Sequence, residues 1–248
     1  MGYGPRQSIG MFEGLPLIVM AMEAESAPVR DRLGLVGDGY EFGEGISARL
    51  WSNESVHLVT NGIDSRFGID AIGTIPASLS TYLAVRKTNP SIVISAGTCG
   101  GFISRKGFVG EIILANRCVF HDRRIPLDGF RNYGVGDFPV VDLNTVAEVL
   151  GFRVGTVSTG DSLDAQPADL SFMDSVNAVA KDMEAAAVSL ICAMHDVPFT
   201  ALKVITDLVD GEIATEEEFV ANLQYASSRL SEGILSLVHE LRNFRTEK

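Results

Sequence analysis

The chain has 248 residues, 46% of them hydrophobic and 21% charged, which suits one globular domain or two small ones. A formal net charge of -12 argues against nucleic acid or an anionic membrane surface as partner. Such a face needs clustered Lys and Arg, and a pair such as Arg123-Arg124 falls far short of one.

No apolar stretch approaches the roughly 18 residues of a membrane span. The opening MGYGPRQSIGMFEG lacks the apolar core of a secretory signal, and Gln7-Ser8 sits out of register for a myristoylated Gly2. Residues 1–14 are expected as a flexible N-terminal tail ahead of one domain, 15–248. Cys99, Cys118 and Cys192 show no CxxC and no metal spacing, and they read as reduced thiols of a cytoplasmic protein. His57, His121, His195 and His239 add no paired-ligand pattern, so neither a metal nor a cofactor is expected.

In chain order, LPLIVMA (15–21) predicts a buried strand and EAESAPVRDRLG (23–34) the helix after it. A glycine-rich turn at 37–45 leads into strands at 46–51 and 55–61, joined at Ser52-Asn53-Glu54. Residues 68–87 read as a helix, and Pro90 precedes the strand SIVISAG (91–97). Further strands fall at 111–120 and 152–160. NAVAKDM (177–183) runs into the helix AAAVSLICAMH, and Pro198 introduces the strand FTALKVIT (199–206). A last helix starts near Thr215, with Glu216 to Glu218 favourable to its dipole, and runs to about residue 243. Strands that are apolar throughout are buried on both faces, so helices must cover both sides of the sheet. The expected fold class is α/β, a single-domain three-layer α/β/α sandwich with a mixed central sheet.

Ligands of such sheets bind outside the carboxyl ends of the strands. Here those ends carry unusual chemistry: Met22-Glu23-Ala24-Glu25, Gly97-Thr98-Cys99-Gly100-Gly101, Met183-Glu184 and Asp207. Any one acid after a strand is more often a helix cap than a catalytic group. The glycine stretch, expected as a loop, is neither a P-loop nor GxGxxG. Glu184 is the most pointed case, because it heads a run of alanines, valines and leucines where a carboxylate is costly unless something satisfies it.

The ordered set AMEAE, SAGTCGGF, FHDRRIP, STGDSLD, KDMEAAAV and ITDLVDG resembles the 5'-methylthioadenosine/S-adenosylhomocysteine nucleosidases, in wording most like the plant-type branch, over roughly residues 15–243. The resemblance implies a nucleoside phosphorylase-like fold, a homodimer, and a small-molecule nucleoside as the partner. It implies hydrolysis of the N-glycosidic bond of methylthioadenosine, in methionine salvage, with S-adenosylhomocysteine an open second substrate. By the same carry-over Asp207 matches the acid that serves N7 of the leaving adenine and Glu25 the base that activates water. Glu184 matches the acceptor of the ribose hydroxyls. Lys181, Asp182 and Met183 are placed along purine and sugar, and Thr98 beside them. Leu163 stands where the common bacterial pattern has an aromatic that stacks on adenine, a departure that plant-type members share. Met22 reads equally as a core residue or a site residue. Arg123, Arg124 and Ile125 read equally as a loop near the dimer interface or a solvated turn.

Two other readings compete. A nucleoside phosphorylase needs arginines for phosphate, whereas the AMEAE segment is acidic. A silent nucleoside-binding or storage relative should have lost one of Glu25, Glu184 and Asp207, and all are present.

Overall fold

The computed structural model describes residues 14–246; nearly all of the expected N-terminal tail lies outside them. Strand β1 (Pro16–Met20) is buried throughout. Its Leu17 and Val19 enter one core while Ile18 and Met20 enter another, as a strand covered on both faces requires. Helix α1 (Glu23–Leu33) follows at once and stops at Gly34, whose φ of 67° suits a left-handed cap. Strands β2 (Tyr40–Glu41), β3 (Arg49–Ser52) and β4 (His57–Thr60) form an antiparallel meander. Its β3–β4 turn is held by Asn53 Oδ1, which accepts the Ser55 and Val56 N–H groups.

The helix expected from residue 68 begins later. A small hairpin, β5 (Ile63–Asp64) with β6 (Ile69–Asp70), comes first, and α2 spans Thr74–Thr88. Gly68 and Gly73 have φ of 70° and 98°, outside the right-handed helical region, so no helix can run through them. Strand β7 (Ile92–Gly101) is also longer than expected, and the glycine stretch is its second half instead of a loop.

Strand β8 (Ile112–Phe120), the short helices α3 (Phe130–Val135) and α4 (Asn144–Leu150), and strand β9 (Arg153–Thr159) follow. After them come α5 (Pro167–Ser175), β10 (Ala178–Asp182), α6 (Ala185–Met194), β11 (Phe199–Leu208) and α7 (Thr215–Thr246). Helices α3, α4 and α5 are additions to the expected elements. The start of α5 is marked by a capping box between Gln166 and Asp169, with proline in its first turn.

The main sheet runs β10-β9-β8-β11-β7-β1-β4-β3-β2 and is mixed, as expected. Helices α2 and α6 supply one core with Ala77, Ala84 and Ala185 to Val188. Helices α1, α4 and α7 supply the other with Val29, Val146, Leu230 and Ile234. The sheet also turns back on itself: Lys181 of β10 pairs antiparallel with Gly100 of β7. Bulges in β8, β10 and β11 give the strands the bend this closure needs. The closure brings the end of β10 against the ends of β7 and β11. No described helix is long and apolar enough to cross a membrane.

Candidate active site

The ends of β1, β7, β10 and β11 border one cavity. All eight residues expected at a site line it: Glu25, Thr98, Leu163, Lys181, Asp182, Met183, Glu184 and Asp207. Met22 lines it too. Arg123 and Arg124 do not. Arg123 lies over the Phe120 and Tyr133 rings at 4.4 and 5.0 Å, and Arg124 pairs with Asp169 and donates to the His121 carbonyl.

Glu25 sits in the first turn of α1, 3% exposed. Its Oε1 accepts both the Thr98 hydroxyl (2.6 Å) and the Thr98 N–H (2.8 Å). Burial raises its pKa against the pull of these donors and of the Lys203 charge. Thr98 can reach it because the strand register leaves Gly97 alongside. A Cβ at Gly97 would stand 3.2 Å from Glu25 Oε2.

Asp207 lies within β11, immediately after the bulge that follows Ile205, and not beyond the strand as expected. The Thr206 hydroxyl donates to its Oδ1 at 2.7 Å. Burial pushes its pKa up, while Thr206 and the Lys181 charge restrain it. Gly100 makes room for it: a Cβ there would come within 2.9 Å of Asp207 Oδ2. Neither Gly97 nor Gly100 has a positive φ, so both are glycines for space and not for a turn.

Glu184 occupies the joint between β10 and α6, half-buried, and accepts the Gly73 N–H at Oε1 (3.0 Å). Burial raises its pKa to about 7, with Asp182 and Glu25 adding to the rise and Lys203 and Gly73 opposing it. Thus three carboxylates around one cavity each have a raised pKa, pushed up first of all by burial.

Asp182 and Lys181 have their side chains engaged within the protein. Asp182 accepts the Thr159 hydroxyl (2.5 Å), the Ala185 N–H (2.8 Å) and Lys203 Nζ (2.8 Å). Lys181 Nζ donates to the Ser162 and Leu163 carbonyls at 2.6 and 3.0 Å, fastening the segment that carries Leu163. Burial lowers the Lys181 pKa. Burial also works against the charge of Lys203, but Asp182, Glu184 and Glu25 outweigh it and hold this lysine above its ordinary value.

Lys203 is the main residue the sequence reading passed over. Its signal was visible as a lone cation inside FTALKVIT, the mirror image of Glu184 among alanines. Ile72, Val209 and Phe219 also line the cavity and carried no signal beyond being apolar.

A phosphorylase superfamily profile matches residues 17–239. A 5'-methylthioadenosine nucleosidase of Arabidopsis thaliana is 38% identical over 234 residues, covering 92% of this chain and 87% of that protein. A 5'-methylthioadenosine/S-adenosylhomocysteine nucleosidase of the same plant is 33% identical, covering 93% and 94%. The apo structure of the Arabidopsis thaliana 5'-methylthioadenosine nucleosidase superposes with a TM-score of 0.89 at 35% identity, over 96% of this chain and 98% of that one. Shared fold, near full-length coverage and identities of 33–38% agree: the chain belongs to the phosphorylase superfamily and, within it, to the 5'-methylthioadenosine nucleosidases, beside their plant-type members.

Proposed function

We propose that this protein hydrolyses the N-glycosidic bond of 5'-methylthioadenosine, releasing adenine and methylthioribose, and so serves methionine salvage. The observation that carries the reading is the convergence of Glu25, Glu184 and Asp207 on one cavity, each with a raised pKa. As the C1'–N9 bond breaks, the sugar becomes an electron-poor oxocarbenium-like species and adenine takes the bonding pair. Asp207 gives its proton to N7, so the base leaves neutral. Glu25 takes a proton from the water that adds to C1'. Glu184 accepts the ribose hydroxyls, and its negative charge favours the cationic transition state over the neutral ground state. The logic is that of paired carboxylates in other glycosidic cleavages.

Water is favoured over phosphate because no arginine lines the cavity among the described residues. Its one lining cation, Lys181, is turned to the Ser162 and Leu163 carbonyls. A phosphate beside Glu25 and Glu184 would meet like charge.

The working unit is one domain over residues 15–248, since the cavity draws on positions from Ala21 to Phe219. It acts as a homodimer. Ile75, Leu79 and Tyr82 form an exposed stripe at helical spacing on α2, and Ile63, Phe67 and Ile69 are exposed on the preceding hairpin. Its compartment is the cytoplasm, in keeping with three buried free cysteines. The test is direct: incubate the protein with methylthioadenosine, with and without phosphate, and follow free adenine. Release independent of phosphate supports the hydrolase. Release only with phosphate overturns it in favour of a phosphorylase, and none at all in favour of a binding protein.

A further inference from the structure

The nearest backbone donor to Glu184 is held in place by a carboxylate on another loop. Gly73, which donates to Glu184 Oε1, has a φ of 98° and precedes the first residue of α2. Helix α2 has no side-chain cap of its own. Asp161, 87 residues away in sequence, fills that place: its Oδ1 accepts the Thr74 N–H and its Oδ2 the Thr74 hydroxyl, both at 2.6 Å. Asp161 itself is anchored by its N–H, which donates to Asp122 Oδ2 at 2.8 Å. Two residues on, Leu163 lines the cavity, and the Ser162 and Leu163 carbonyls hold Lys181. The fit is tight, since a Cβ at Gly73 would stand 2.7 Å from Asp161 Oδ1.

We propose that Asp161 is a positioning residue for the reaction: by gripping both donors of Thr74 it aims the Gly73 N–H at Glu184 and locks the Leu163 segment to the same point. The proposal rests on the role given to Glu184 above. Asp161 touches no reacting atom; it acts through the one peptide that joins Gly73 to Thr74. The N–H of Gly73 itself, which lies in the preceding peptide and is oriented by the same residue, stabilises the charged form of Glu184. The other charged groups bearing on Glu184 are Lys203 of β11, Asp182 of β10 and Glu25 of α1. The first turn of α2 carries no acid.

The experiment is the pH profile of kcat/KM for Asp161→Ala and Asp161→Asn, with melting curves on both. Asp161→Ala frees the peptide, and we expect roughly a tenfold loss, the scale of a hydrogen bond to a charged group. Its acid limb should move to higher pH, because Glu184 loses a donor to its charged form. Removal of the Asp161 negative charge alone would move the limb the other way, so direction separates the two effects. Asp161→Asn keeps an oxygen for the Thr74 N–H and should stay close to the parent in rate, with its limb at or slightly below the parent's. An unmoved or lowered limb in Asp161→Ala overturns the proposal. If that variant does not fold, Thr74→Val, which deletes only the hydroxyl donor, takes its place. A smaller upward move then supports the proposal, and an unmoved limb overturns it. Glu184→Gln is assayed alongside. If it is inactive while Asp161→Ala behaves like the parent, this inference alone falls; if it is active, the role of Glu184 falls and takes the inference with it.

Discussion

Lys203 Nζ lies 2.8 Å from Asp182 Oδ2, and the two side chains are 1% and 0% exposed. Burying two ions is costly in itself, and removing one partner strands the other. Lys203→Met should therefore destabilise the fold by about 3–5 kcal/mol. Adding Asp182→Asn should recover a sizeable part, since the stranded charge is gone and the amide oxygen can still accept the Ala185 N–H while its NH2 faces the Thr159 hydroxyl. Urea midpoints check this. Equal losses in the single and the double variant would show that the pair contributes through packing and not through charge.

Glu184→Gln should keep the fold and lose about 2–4 kcal/mol of transition-state stabilisation, the scale of one preorganised electrostatic group. Steady-state rates on methylthioadenosine decide it. A near-normal rate would return this residue to the role of a helix start.

The same variant makes a prediction about stability. Glu184 has a folded-state pKa near 7, above the ordinary 4.5, so the fold binds its proton more tightly than the unfolded chain does. Stability linked to that proton is fully present below the ordinary value and is lost as pH rises through about 7. Glutamine carries no such loss. The Tm of Glu184→Gln relative to the parent should be higher at pH 8 than at pH 5, by several degrees for a difference of about 1–3 kcal/mol. A Tm difference that does not change with pH would contradict the elevated pKa.

Asp207→Asn should lower methylthioadenosine cleavage by roughly 10²-fold or more, the scale of a lost general acid. A riboside with a nitrophenolate leaving group needs no proton, and the variant should cleave it with a far smaller penalty. Glu25→Gln, which disables the water, should suffer with both. Equal damage to both substrates in Asp207→Asn would make Asp207 a residue that supports the pocket and not the acid.

Gly100→Ala tests the idea that glycine makes room for the acid. Its Cβ would press on Val209 Cγ2 at 2.6 Å and Asp207 Oδ2 at 2.9 Å. Activity should fall at least tenfold, given how steeply rate depends on the placement of a catalytic group by about 1 Å. Gly34→Ala is the control. It meets nothing within 4 Å and has a φ of 67°, so it should cost about 1 kcal/mol of stability and leave kcat unchanged. Unimpaired Gly100→Ala would show that Asp207 tolerates displacement.

Much of this was legible in the chain itself. The apolar runs at 15–21, 91–97 and 199–206 announced strands buried on both faces, because such runs are stable only under cover. Acids at strand ends were the expected site residues, and Glu25, Glu184 and Asp207 line one cavity. The α2 start was misplaced, since two left-handed glycines interrupt an otherwise helical pattern.

What tertiary structure alone decided is which groups meet. Gly97 and Gly100 look like turn residues in sequence, and only the register of β7 against β11 shows them giving space to carboxylates. Lys203 is one charge in an apolar strand until β10 folds back and sets Asp182 against it. The Gly73–Glu184 bond spans 111 residues and the Asp161–Thr74 grip spans 87. Propensity and periodicity are properties of neighbours along the chain, whereas hydrogen bonds and desolvation depend on distances in space. Strand order and sheet closure set those distances, and no local pattern encodes them.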